Sequence, residues 1–206
     1  MEPSSDSFLS IAKESRGIYR EKASKFMAIA MPVSSEEEIK IKLDDLKKEY
    51  FDANHHCYAY RLGLQNPHYR MNDDGEPAGS AGKPIYGQIL STGLSDVLVV
   101  VIRYFGGTKL GIPGLIHAYK TSTREALDNA EIVEKILYTQ VKVSFEYISM
   151  NEIMKILKEE GVKIIRQTTE LGCTLTFLIR KSHLMGLESR IKRIRYVNME
   201  IVNFSN

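Results

Sequence analysis

Residues 96–114 read DVLVVVIRYFGGTKLGIPG, and their reading decides the fold. Val97 to Ile102 form an unbroken apolar run of β-branched residues and leucine, far shorter than the roughly 20 residues that cross a bilayer, so the run predicts a buried strand. The segment that follows, LIHAYKTSTREAL, has helical periodicity, with Leu115, Ala118, Tyr119, Ser122, Ala126 and Leu127 on one side. A buried strand thus passes into a helix, expected over about 114–129, through a loop of four glycines, one proline, Arg103, Lys109 and two aromatics.

Upstream, GIYREKASKFMAIAMPV (17–33) is β-compatible around a polar turn and predicts a hairpin. Ser35 with Glu38 forms a capping box for a helix running to about Tyr50, with Ile39, Leu43, Leu46 and Tyr50 on one face. HCYAYRLG (56–63) reads as a strand, QNPHYRMNDDGEPAGSAGKP (65–84) as a long loop, and PIYGQILSTG (84–93) as a short helix with Pro84 near its start.

After Glu134 the pattern changes. TQVKVSFEY alternates as a half-exposed strand. SMNEIMKILKEEG is a helix with a second capping box, Ser149 and Glu152, and a Gly161 cap. VKIIRQTT and CTLTFLIR are strands joined by a turn at 170–172; SHLMGLESRIKRI is a helix capped by Ser182, and VNMEIVNF a final strand. The order βαββαβ is that of a ferredoxin-like domain, an antiparallel four-stranded sheet with two helices on one face. The reading is therefore a mixed α/β (α+β) protein of two domains, residues 1–137 and 138–206.

The 206 residues are 43% hydrophobic and 26% charged, the profile of a soluble globular protein. With an acidic N-terminal segment lacking an apolar stretch, no membrane helix, and two distant cysteines outside any CxxC pair, a reducing cytoplasm is the expected setting. The net charge of +2 is uneven: residues 1–137 hold 17 basic against 19 acidic side chains, and residues 138–206 hold 11 against 7, giving −2 and +4. This points weakly to a polyanionic partner for the second domain.

RYFGGTKLG, together with NDDGEPAGSAGKP (72–84) and ANHHCYAY (53–60), closely resembles the Impact/YigZ family, three motifs occurring in order. The resemblance covers both halves of the chain. It implies a first domain of the ribosomal protein S-five domain-two type and a second similar to the fifth domain of elongation factor G. It also implies a link to the control of translation, with RNA, the ribosome or a translation-regulatory protein as partner. The chain departs from the family pattern at Pro113, usually glycine, and at Ser80, usually threonine.

Glycines between a buried strand and a helix expose backbone N–H groups to an anion, and Arg103 and Lys109 supply charge. Gly106 and Gly107 are read with them as anion-binding, Gly111 and Gly114 as turn and packing glycines. Pro113 removes one backbone donor. Neither GxxxxGK[ST] nor GxGxxG is present, and Lys83 in the near miss GSAGKP is followed by Pro84, so no nucleotide or other cofactor is expected. Asp73, Asp74 and Glu76 make an oxygen cluster; the preferred reading is that Asp74 or Glu76 pairs with Arg103 rather than binding a metal. Strand alternation allows only one of His55 and His56 to face this cluster, and His55, opposite in side to Tyr58 and Tyr60, is chosen. His55, Asp73, Asp74, Glu76 and Lys83 thus form the expected polar cluster. In the second domain Arg190, Lys192, Arg193 and Arg195 are the expected phosphate contacts.

Two functions of different class fit these residues. One is a non-enzymatic regulator or binding module of translation; the other is an enzyme acting on a phosphorylated or carboxylated small molecule between DDGE and RYFGG. The enzyme reading requires a carboxylate left unpaired in a cleft.

Overall fold

The computed structural model describes residues 6–64, 66–169 and 172–202. Its elements in chain order are β1 (Ser7–Ile11), β2 (Ser15–Glu21), β3 (Ser24–Pro32), α1 (Glu36–Glu49), β4 (His55–Leu62), β5 (His68–Asn72), α2 (Gly82–Thr92), β6 (Val97–Tyr104), α3 (Gly111–Asp128) and β7 (Ile132–Ile136). There follow β8 (Tyr138–Phe145), α4 (Met150–Glu159), β9 (Lys163–Thr168), β10 (Cys173–Arg180), α5 (Leu184–Ile191) and β11 (Val197–Val202). The protein is a mixed α/β fold in two compact units: Phe8–Lys135, and Ile136 onward together with Asp6 and Ser7.

The first unit is built on an antiparallel five-stranded sheet of order β2-β3-β6-β4-β5. Strand β6 is central, and Val97 to Ile102 are completely buried. Alternation sends Val97, Val99 and Val101 into the core shared with Ile85 and Ile89 of α2 and Leu115, Ala118 and Tyr119 of α3. Leu98, Val100 and Ile102 enter the opposite core, which holds Ile39 and Leu46 of α1. Two covered faces explain why the run shows no polar alternation. Each such side chain contributes about 1.5–3 kcal/mol of burial free energy.

Lys22 and Ala23, both at positive φ, close the β2–β3 hairpin in two residues. The loop expected over 65–84 contains β5, paired to β4. Its HYRMN residues lie at the sheet edge and are mostly exposed, so the apolar alternation that marks a strand is missing. Strands β1 and β7, which pair with each other, are likewise short and were not expected. Helix α3 starts at Gly111, three residues earlier than expected, with Pro113 in the first turn, where a missing N–H costs no helical bond.

In the second unit the sheet order is β11-β8-β10-β9, all neighbours antiparallel, with one helix after β8 and one after β10. This is the ferredoxin-like arrangement. Val141, Val143, Phe145, Leu175, Phe177 and Ile179 meet Ile153, Leu157, Leu187 and Ile191 in one core. Gly161 closes α4 with φ +64°. Two caps differ from expectation. Ser149 makes no capping bond because a 3₁₀ turn, Tyr147–Ser149, leads directly into α4. Ser182 instead donates both its N–H and its hydroxyl to Asp6, at 3.1 and 2.5 Å. The turn at 170–172 and the end of the last strand fall partly outside the described residues.

Candidate binding site

At the end of β6 the alternation that buries Val97, Val99 and Val101 places a cation next, Arg103, on the same inward face. Its strand neighbours in register are Phe26 on β3 and His55 on β4. The guanidinium carbon lies 5.2 Å from the Phe26 ring centre and 5.5 Å from that of Phe105. A buried guanidinium requires a carboxylate, and Glu76 supplies it at 2.5 Å, with both side chains almost fully enclosed. Tyr119 of α3 donates its hydroxyl to the same Glu76 oxygen at 2.7 Å. The pairing chosen between Asp74 and Glu76 is thus made by Glu76.

The other two carboxylates organise backbone. Asp73 accepts the N–H groups of Gly79, Ala81 and Gly82 at 2.8–3.0 Å. It thereby caps α2 from outside the helix, whose own N-cap, Ala81, has no side-chain acceptor. Asp74, at φ +43°, accepts the N–H of His56 at 2.6 Å. His55 Nδ1 lies 2.8 Å from the Asp74 carbonyl oxygen, and its Nε2 lies 3.9 Å from Glu76. Its partner on the opposite face, His56, is held to the Tyr50 carbonyl at 3.1 Å, and burial pushes its pKa below the usual imidazole value. Cys57 Sγ lies 3.0 Å from the Asp73 carbonyl oxygen and 3.3 Å from the Tyr119 hydroxyl; burial pushes the thiol far up, so it stays protonated.

A cavity of about 420 Å³ opens beside this cluster, lined by His55, Glu76, Arg103, Phe105, Lys109 and the first turn of α3, Gly111 and Ile112, among others. Of the expected anion-binding residues, Arg103 and Lys109 therefore line the cavity, but Arg103 is committed to Glu76. Gly106 has a different role from the one expected. A Cβ there would sit 2.1 Å from the Ala23 carbonyl carbon, and its N–H is taken by the Ser24 hydroxyl at 3.1 Å. Gly106 is a packing glycine that seats the loop on the β2–β3 turn. Gly107 has open space around it and φ +85°, so it is needed for backbone conformation. Lys83 is exposed on α2 and is not among the cavity-lining residues, because the helix places it on the solvent side of the turn that Asp73 caps.

Sequence reading missed Tyr119 and Asn54 as site residues. Tyr119 fits a core stripe, and its hydroxyl is the only sign that it needs a buried partner. Asn54 accepts the Phe105 N–H at 2.7 Å through its side chain and donates its own N–H to the Arg103 carbonyl, fixing the entry to the glycine loop.

The motifs that supply this constellation are matched elsewhere. Residues 22–127 match the Impact N-terminal domain. The chain belongs to the Impact family. A Bacillus subtilis relative, IMPACT family member YvyE, is 38% identical over 66% of this chain, and the match spans 63% of that protein's own length. IMPACT family member YigZ of Escherichia coli is 34% identical over 70% of this chain and 72% of its own. A crystal structure of a hypothetical protein superposes on 97% of this chain and 99% of its own with a TM-score of 0.70 and 26% identity.

In the second unit the expected phosphate contacts are unequal. Arg190 bonds Glu160 at 2.7 Å and also pairs with Glu159, and Lys192 pairs with Glu188 at 2.7 Å. Arg193 and Arg195 are exposed and have no carboxylate partner among the described residues. Half of the run is neutralised within the unit.

Proposed function

We propose that this Impact-family chain is a non-enzymatic binding module of the translation machinery, directed at RNA, the ribosome or a translation-regulatory protein. One observation carries the choice against an enzyme: Asp73, Asp74 and Glu76 are each engaged, by backbone N–H groups or by Arg103 and Tyr119. Glu76, the carboxylate that lines this cavity, is held by Arg103 and Tyr119, while Asp73 and Asp74 hold loop backbone, so none of the three is the unpaired carboxylate that the enzyme reading requires. The family resemblance supports the translation link, and Lys109 with the first turn of α3 gives the cavity an electropositive rim for an anionic group of the partner.

The test is co-sedimentation of the purified full chain with ribosomes at low and moderate salt. Retention at low salt that declines as salt rises is expected. Absence of the chain from the pellet at low salt overturns the ribosome reading.

A further inference from the structure

The helices of the second unit cover one face of its sheet, and the register fixes what the other face presents. Strand residues alternate, so the partners of the buried Val141, Val143, Leu175 and Phe177 point inward and their neighbours point outward. Reading across β11-β8-β10-β9, one outward row is Glu200, Lys142, Thr176 and Arg166. The row on one side is Asn198, Ser144, Thr174 and Thr168; on the other it is Val202, Gln140, Leu178 and Lys163. Beyond that, Tyr138 stands opposite Arg180 and is 53% exposed.

This face carries Lys142, Lys163, Arg166 and Arg180; Glu200 lies 3.9 Å from Lys142, and Arg180 interacts electrostatically with Asp6. Lys163 and Arg166 have no carboxylate partner among the described residues. A shallow depression of about 440 Å³ runs over Gln140, Lys142, Arg166, Thr168, Thr174 and Thr176. The polar groups there are hydroxyls, an amide and cations, set on the aliphatic stems of these side chains and on Val202. Its donors suit phosphate and ribose oxygens, and the tyrosine beside Arg180 offers a ring for a base.

We infer that the open face of this sheet, rather than the Arg190–Arg195 segment, is a binding surface for single-stranded RNA. The inference rests on the reading of the chain as a translation module and adds where and what it binds. A four-stranded sheet of this topology leaves its open face flat and accessible, which suits unstacked nucleotides better than a duplex.

The experiment is fluorescence anisotropy of a labelled single-stranded oligouridylate with the full chain and two double variants. Lys142→Gln/Arg166→Gln alters the face; Arg193→Gln/Arg195→Gln alters the segment after α5. Both change exposed or half-exposed side chains, and unchanged thermal midpoints confirm folding. The face variant is expected to bind about tenfold more weakly at low salt, with a log–log salt slope smaller by about two. The other variant is expected to stay within about twofold. Wild-type affinity in the face variant, or equally tight wild-type binding of a labelled RNA duplex of the same length, overturns the assignment even if ribosome retention persists. No oligonucleotide binding by the wild type at low salt likewise overturns it, whereas loss of ribosome retention by the wild type removes the broader reading.

Discussion

Glu76 and Arg103 share one hydrogen-bonded contact inside the protein, so removing either partner strands a buried charge. Glu76→Ala is expected to cost about 3–5 kcal/mol in urea unfolding, and the double change Glu76→Leu/Arg103→Met to recover most of that loss. The paired glycines separate by mechanism. Gly107→Ala is expected to cost about 1–2 kcal/mol, because φ +85° is strained for an L-residue although space is free. Gly106→Ala must displace the Ala23–Ser24 backbone and is expected to cost more, measured by the same denaturation. His56 titrates at the opposite face of β4, where burial depresses its pKa from 6.5. A depressed imidazole gives stability that is full above the unfolded value and lost as pH falls through the folded value. The thermal midpoint is therefore expected to fall as pH drops below about 6.5, and His56→Gln to flatten that part of the profile.

At the scale of elements, the caps and turns divide into those read from neighbours and those made from afar. Ser35 accepts the Glu38 N–H as its spacing foretold, though the Glu38 carboxylate turns to Ser34 instead of closing the box. The start of α2 has no local cap and depends on Asp73, eight and nine residues upstream. Asp73→Ala is expected to cost about 2–3 kcal/mol and to raise hydrogen exchange at Gly79, Ala81 and Gly82, since three donors lose a charged acceptor. Strand β5 illustrates the limit of pattern: an edge strand with both faces wet has no periodic signal, and only its pairing with β4 reveals it. The βαββαβ order of the second unit was legible because its strands alternate cleanly and its helices have clear apolar faces.

At the scale of the molecule, Asp6 belongs with the second unit although the chain passes through the first before reaching it. Hydrogen bonds from Ser182 hold its carboxyl below the usual range. Its contribution is thus full above the ordinary carboxylate pKa and lost as pH falls through the lowered value. Asp6→Ala is expected to expose the Ser182 amide to exchange while the Leu137 amide, bonded to the Asp6 main-chain carbonyl, stays protected. The sequence by itself determined the central strand and the second unit's topology, because these are written in periodicity, and it favoured, among several readings, a pairing of Asp74 or Glu76 with Arg103. Tertiary structure alone decided that Glu76 takes Arg103 and Tyr119, that Gly106 is a packing position, and that Arg190 and Lys192 are already neutralised. Each of these depends on which groups the folded chain brings within hydrogen-bond distance across tens of residues, a quantity that local spacing does not encode.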